Sequence, residues 1–316
     1  MWPRRSQQVL SDNWTSVIFS AGCIDVAEVR QRTDALPEVC GWESVAYEGA
    51  ELDALKKLRE RLRGGRCTTL LRYGQYQLLQ VPAPQVPPEE RNQAVRWQIK
   101  EMVSFPVAQA GIGVLEIPSV QGGGGGRGPQ VFAVAAANDV LTARIRLFQD
   151  AKIPLAAIDI PELAQRNVAA LFEEENRGLA LLHFGAEGGT LTFSSKGELY
   201  ASRHIEIGAK DLAGSGAEAP GGVFERALLD VQRSLDNFDR NYSFITLARL
   251  LVVPIPGVPA FVDYLKGNLY QSVDWLDASK KLDFGSVPAL AQPEQQAAAL
   301  MAIGAALRVE AKALSA

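Results

Sequence analysis

Histidine is almost missing from this chain: His183 and His204 are the only two in 316 residues. That excludes a His-rich metal centre and argues against a histidine-based catalytic triad. Cysteine is nearly as scarce. Cys23, Cys40 and Cys67 leave an odd count and form no CxxC pair, which gives no disulfide framework or zinc site and suits a reducing compartment. A long apolar run is also lacking. The best is AAALMAIGAAL, 297–307, far below the roughly 20 residues that cross a bilayer. The opening MWPRRSQQVLSDNW has basic residues but not the apolar core of about 7–15 residues that makes a signal peptide. Positive charge is not in excess either. A formal net charge of −4 argues against a general nucleic-acid binder. The expectation is a cytoplasmic protein that meets a membrane only through a partner.

What remains is ordinary globular material, 47% hydrophobic and 22% charged, enough for one large domain or two moderate ones. TSVIFSAGCIDVAEVR reads as two strands turning at Ala21-Gly22, with ESVAY as a third. GAELDALKKLRERLRGG reads as a helix with Leu52, Leu55, Leu58 and Leu62 on one face and Gly64-Gly65 as its stop. Its basic face (Lys56, Lys57, Arg59, Arg61, Arg63) is first a solvated surface, with an acidic partner or lipid headgroups as the alternative. TTLLRYGQYQLLQVPAP reads as a strand pair turning at Tyr73-Gly74. PPEERNQAVRWQIKEMVSFP then gives a helix striped by Val95, Ile99 and Met102, with Trp97 on its polar side. GIGVLEIP and QVFAVAAA are strands around the loop QGGGGGRGPQ. Two further helices follow, one capped by Asn138 and one behind Asp159, which is read as steering the chain into it.

From Arg177 the opening pattern returns. ALLHF, TLTFS and ELYASRHIEI are strands turning at 185–189 and at Ser195-Lys196-Gly197, and a helix carrying Phe224, Leu228, Val231, Leu235, Phe238 and Tyr242 on one face follows a glycine-rich break, AGSGAEAPGG. ARLLVVPIPG is a buried strand and SVDWLD an edge strand; an apolar helix closes the chain. Two segments, 15–63 and 178–242, therefore share one order, strand meander then helix. That repetition predicts an α/β fold with two related halves.

With that order in view, AVRWQIKEMVSFPV, AAANDVLTARIRLFQDAKIPLAAIDIPELAQRN, LLHFGAEGGTLTFSSKGELYASRHIEIG, LDVQRSLDNFDRNY and MAIGAALR together resemble the actin-like proteins of type IV pilus assembly. These are the PilM group, and within it the MshI branch of mannose-sensitive haemagglutinin pilus biogenesis. The likeness runs from about 15 to 309. It implies an actin-like, ribonuclease H-like fold of two halves with a small α/β subdomain inserted in the first. The boundaries it suggests are 15–65 and 161–176 for the first half, 66–160 for the insert and 177–316 for the second half. It also implies a partner: a PilN- or MshJ-like bitopic inner-membrane protein whose cytoplasmic tail is docked, with contact passed to the assembly ATPase complex. A homodimer is left open. By the same analogy the peptide groove lies between the first half and the insert, which makes Arg96, Trp97 and Lys100 the candidate partner-binding residues.

Members of this fold hold Mg-ATP between the halves, on two hairpin turns with acidic residues nearby and a Gly-Gly strand end for adenosine. Here Gly22, His183, Gly185, Gly188, Gly189 and Gly257 occupy the corresponding positions, and each element is degraded. The first turn has no carboxylate before it, and Asp25 falls in the second strand, read as misplaced. His183 replaces the second carboxylate; a neutral imidazole cannot enter the oxygen shell Mg²⁺ demands. That histidine is read as bonded to a nearby carbonyl. Val253-Pro254 stands where a glycine pair belongs, although Pro256-Gly257-Val258 keeps the step that follows. The expectation is a non-catalytic scaffold without a required cofactor or metal, with an ATP-binding PilM-like regulator as the alternative. A sugar or acetate kinase is disfavoured, since neither turn carries the Asp such chemistry needs.

Overall fold

The computed structural model describes residues 13–20, 22–62, 65–119, 128–214 and 222–309. The first hairpin is β1 (Trp14–Ser20) and β2 (Cys23–Arg30), followed by β3 (Glu38–Ala46) and helix α1 (Glu51–Leu58). β4 (Arg66–Leu70), β5 (Gln77–Pro82), α2 (Arg91–Gln98), β6 (Ala110–Ile117) and β7 (Gln130–Ala137) come next. Then follow α3 (Asn138–Asp150), β8 (Leu155–Asp159) and α4 (Pro161–Ala170). The second meander is β9 (Gly178–Phe184), β10 (Gly189–Ser195) and β11 (Glu198–Ile205), leading to α5 (Ala209–Gly214) and α6 (Val223–Asn241). β12 (Leu247–Val252), α7 (Ala260–Asn268), β13 (Val273–Trp275) and α8 (Pro293–Ala306) complete the chain.

Two five-stranded sheets share one strand order, β3-β2-β1-β4-β8 and β11-β10-β9-β12-β13. In each, the meander is antiparallel and the last two strands run parallel to the first. The duplication anticipated from the meanders thus extends to whole sheets. The Ser195-Lys196-Gly197 turn is built as its residues suggest: Lys196 and Gly197 both take positive φ, 54° and 74°, the pair of signs that matches strand twist in a two-residue hairpin. The helix read from Phe224 to Tyr242 is α6, with Phe224, Leu228, Val231 and Phe238 buried along one face.

Alternation along the strands sorts side chains into layers. Val17, Phe19, Ile24 and Val26 face outward onto α1 and α3 through Leu55, Leu58 and Phe148. Ile18, Ala27 and Val29 face inward, as do Leu179 and Leu181 of the second sheet, onto a layer made by α4 and α8. α6 and α7 cover the far side of the second sheet. The two middle helices touch closely. A Cβ on Gly304 would stand 2.3 Å from the Ala164 carbonyl oxygen, so only glycine lets the backbones approach to this distance. Asn167 Nδ2 donates to the Gly304 carbonyl at 2.9 Å, and Ser16 Oγ to that of Ala302 at 2.6 Å. α8, which the sequence boundaries put in the second half, therefore packs on the first sheet.

The insert differs from expectation in extent. β4 and β8 hydrogen-bond into the first sheet, which leaves a separate three-stranded sheet, β5-β7-β6, between them. β4 and β5 are accordingly not the hairpin read at Tyr73-Gly74: β4 pairs with β1 and β5 with β7. Parallel pairing beside β1 buries Cys67, Thr68, Thr69 and Leu70 on both faces, which a local turn signal cannot reveal. α2 covers one face of the small sheet with Val95 and Ile99. It ends at Gln98, so Met102 leaves the stripe and is exposed. Asn138 makes no side-chain cap for α3. Parts of the glycine loop (120–127) and of AGSGAEAPGG (215–221), together with Ala21, Arg63 and Gly64, lie outside the described residues.

Candidate functional site

Between the two sheets opens a cleft of about 490 Å³. Its first-half wall carries Ser20, Asp25, Arg72 and Tyr73; the second half contributes His183, Gly185, Gly188, His204 and Lys210; α8 supplies the floor with Ala298 and Met301. Asp25 reaches the cleft because Ile18 pairs with Asp25 and Ser20 with Cys23, which puts all four on one face of the hairpin. Ser20 Oγ donates to Asp25 Oδ2 at 3.1 Å. Arg72 is held from behind, its Nε donating to the Phe19 carbonyl at 3.1 Å and its Nη2 to Glu51 Oε1 at 2.6 Å.

In the second hairpin, Gly185 N–H donates to the Gly188 carbonyl at 2.8 Å and closes the turn. Gly188 has φ 141°, and a Cβ there would lie 2.5 Å from His204 Cε1 and 2.7 Å from the Ile205 oxygen. The turn is therefore pressed onto β11. Tyr73 of the first half stacks on His204 of the second, ring centroids 3.6 Å apart and planes within 13°. Burial drops the His183 pKa to about 4 and lowers that of His204 as well, so both rings are neutral at pH 7. Among the described residues His183 makes no side-chain hydrogen bond, and the carbonyl partner expected for it is absent. The neutral state follows from desolvation instead.

A second cavity, about 410 Å³, lies between the first sheet and the insert. Its walls are β6 (Gly111, Gly113, Leu115), β7 (Val134, Ala136), Leu141 of α3, and the stretch Ile158 to Ile160 with Leu163. β6 and β8 are each the last strand of their sheet. One ion pair interrupts this apolar lining: Arg308 Nη1 donates to Asp159 Oδ2, while the Ile160 N–H donates to Asp159 Oδ1 at 2.9 Å. Leu71 lines both cavities. Beside it Tyr76 OH donates to the buried Glu162 Oε2 at 2.6 Å, and burial raises the Glu162 pKa.

No family model matches the chain, and no curated protein matches it. Solved structures do. A structure described as the PilM-PilN type IV pilus biogenesis complex superposes with a TM-score of 0.69 at 17% identity, covering 96% of this chain and 99% of that one. A Bacteroides thetaiotaomicron protein described as having an actin-like ATPase fold and unknown function superposes with a TM-score of 0.51 at 8% identity, covering 90% and 97%. The fold is actin-like.

An actin-like cleft normally receives a nucleotide with its metal, and the residues present fit that group poorly. Neither strand entering a hairpin turn ends in a carboxylate, although Glu187 in the second turn and Glu294 of α8 do line the cleft. Asp25 faces the cleft but is engaged by Ser20. The Tyr73–His204 stack spans from one half to the other. Pro254 and Pro256 line the cavity, and Val253 is buried with its N–H donating to the Leu182 carbonyl at 2.9 Å. Of the glycines singled out in sequence, Gly185 and Gly188 line the cleft; Gly22 sits in the β1–β2 turn with φ 80°, Gly189 opens β10 against Phe184, and Gly257 sits in the turn before α7 with φ 76°. Asp25, read from the sequence as misplaced, does line the cleft: it lies two residues beyond Cys23 and shares the Ser20 face of the hairpin. Arg72 and Lys210 carried no local signal.

The residues proposed for partner contact separate in space. Trp97 is 65% exposed, and Lys100 is exposed beside Glu101. Arg96 turns inward instead, donating through Nη1 to the carbonyls of Val107 and of Ala110, the latter at 3.0 Å. None of the three lines the groove, because α2 covers the face of the small sheet formed by Val131, Ala133 and Ala135, while Val134 and Ala136 point the other way into the groove. No helix among the described residues is long and apolar enough to cross a membrane.

Proposed function

We propose that this chain is a non-catalytic scaffold of a type IV pilus assembly platform, of the MshI kind, working at the cytoplasmic face of an inner membrane. It docks the cytoplasmic segment of a PilN- or MshJ-like bitopic protein and relays contact to the assembly ATPase complex. The observation that carries this reading is the near-complete superposition on the PilM-PilN structure, joined to an apolar groove between the first sheet and the insert. A groove flanked by the edge strands of two separate sheets suits an extended peptide, whose main chain can add to a strand edge while its side chains enter apolar pockets.

Co-purification of the full chain with a PilN-type cytoplasmic tail tests the reading. Gly113→Trp, at an exposed strand position with no close neighbour beyond Val134, should abolish capture. Retained capture with Gly113→Trp but loss with Trp97→Ala would move the docking surface to the outer face of α2. A second reading, an ATP-binding regulator, draws on the cleft volume and on Asp25, Arg72 and Lys210 in its walls. Titration with a fluorescent ATP analogue and Mg²⁺ separates the two: micromolar, ATP-selective binding overturns the cofactor-free scaffold.

A further inference from the structure

The groove between β6 and β8 has one polar feature, the Asp159–Arg308 pair, and the two partners are unequally satisfied. Both Asp159 oxygens are engaged, one by the Ile160 N–H and one by Arg308. A guanidinium has five N–H donors in a fixed fork, and Arg308 Nε is buried with no acceptor. The guanidinium carbon sits 5.6 Å above the Trp14 ring, a cation–π contact that supplies no oxygen acceptor. Nε itself is out of reach, but the side chain is 31% accessible and Nη2, which makes no hydrogen bond among the described residues, is not one of its buried atoms, so a group entering the groove can reach Nη2. An acceptor there would complete a charge-assisted bond.

Resting on the docking reading above, we infer that Arg308 is a specificity residue of the groove: it selects an extended, apolar segment carrying an acidic side chain, whose carboxylate takes the free side of the guanidinium. The apolar walls accept the hydrophobic residues of such a segment at Leu115, Val134, Leu141, Ile158 and Leu163. A carboxylate is preferred over a neutral carbonyl because charge-assisted hydrogen bonds are about twice as strong. A basic side chain is rejected, since Asp159 is nearly buried behind Arg308 and the Arg308 charge repels it. The pair thus works as an asymmetric reader. Asp159 holds Arg308 in place, and Arg308 does the choosing.

The test selects random 12-residue peptides, displayed on their own mRNA, against the full chain, and then measures representative synthetic peptides by fluorescence anisotropy. Apolar peptides with an Asp or Glu should be enriched. Replacing that acid by Ala should weaken binding about tenfold or more, and Arg308→Met should erase this difference. It should also turn the selection toward Lys-bearing peptides, because Asp159 is then the unpaired charge. Asp159→Asn leaves Arg308 its charge and should keep or sharpen the acid preference, which supplies a second readout if Arg308→Met folds poorly. Peptides that Gly113→Trp displaces but that show no acid preference, or whose preference survives Arg308→Met, overturn the inference while docking in the groove stands. Peptides indifferent to Gly113→Trp, or no enrichment at all, overturn the docking reading itself.

Discussion

Replacing Gly304 by alanine isolates the contact on which the middle layer depends. A Cβ at this position lies 2.3 Å from the Ala164 oxygen, 2.8 Å from the Ala164 carbon and 3.1 Å from Val168 Cγ2, where real Cβ contacts essentially never fall under 3.0 Å. The obstacle is backbone, so no rotamer change relieves it; α4 and α8 must part by about 0.7 Å. Gaps of about 0.5–1 Å forfeit a quarter to a half of each dispersion contact along the seam, and overpacked cores lose about 1–3 kcal/mol. Against this, alanine gains about 0.8–1 kcal/mol of helix propensity over glycine. The net is a loss of up to about 2 kcal/mol. Unfolding entropy of about 2.1 cal/mol/K per residue turns that into a melting temperature lower by up to about 3 °C for a chain of this size. Scanning calorimetry of Gly304→Ala beside Gly267→Ala makes the comparison internal. Gly267 lies in α7 with nothing within 4 Å of its Cβ position, so the same exchange there should stabilise by up to about 1 kcal/mol. A Gly304→Ala protein that melts at or above wild type would refute the close crossing.

Stability should also fall in acid through His183. Its folded pKa of about 4 lies below the ordinary value near 6.5, so between those limits the unfolded chain binds the extra proton and stability drops as pH falls, by roughly 3 kcal/mol in all. Urea midpoints from pH 7 to 4.5 should therefore shift less in His183→Gln than in wild type; equal shifts would contradict burial of the neutral ring. Tyr76→Phe removes the only side-chain donor to Glu162 among the described residues and should cost about 1–3 kcal/mol in denaturant melts, with no loss contradicting the 2.6 Å bond. Cutting the Tyr73–His204 stack with Tyr73→Ala should speed amide exchange along β11 at Arg203–Ile205; unchanged protection would mean the two halves are held together without it.

The strand meanders were readable from residues because their signals are local. Turn glycines, period-two alternation and the Lys196-Gly197 pair each specify a hairpin without reference to the remainder of the chain. The same holds for α6, whose apolar stripe is complete in itself. The two hairpin turns could be compared for the same reason, since the residues that make each of them are neighbours in sequence.

Non-local pairing was another matter. TTLL and QLLQVP look like one hairpin, yet parallel bonding to β1 and antiparallel bonding to β7 send them to different sheets, a choice made by partners far along the chain. Trp97 could be placed on the polar side of its helix by angle alone, but which face of the small sheet that helix covers, and hence its distance from the groove, depends on how β5, β7 and β6 close against the rest. The sequence by itself determined two repeated halves, each a strand meander followed by a helix. Only the tertiary structure decided that α8 crosses back to the first sheet, that Asp25 and Arg72 face the cleft, and that Asp159 meets Arg308 across 149 positions. Long-range contacts are selected by burial and backbone pairing over the whole molecule, and no window of sequence contains both sides of them.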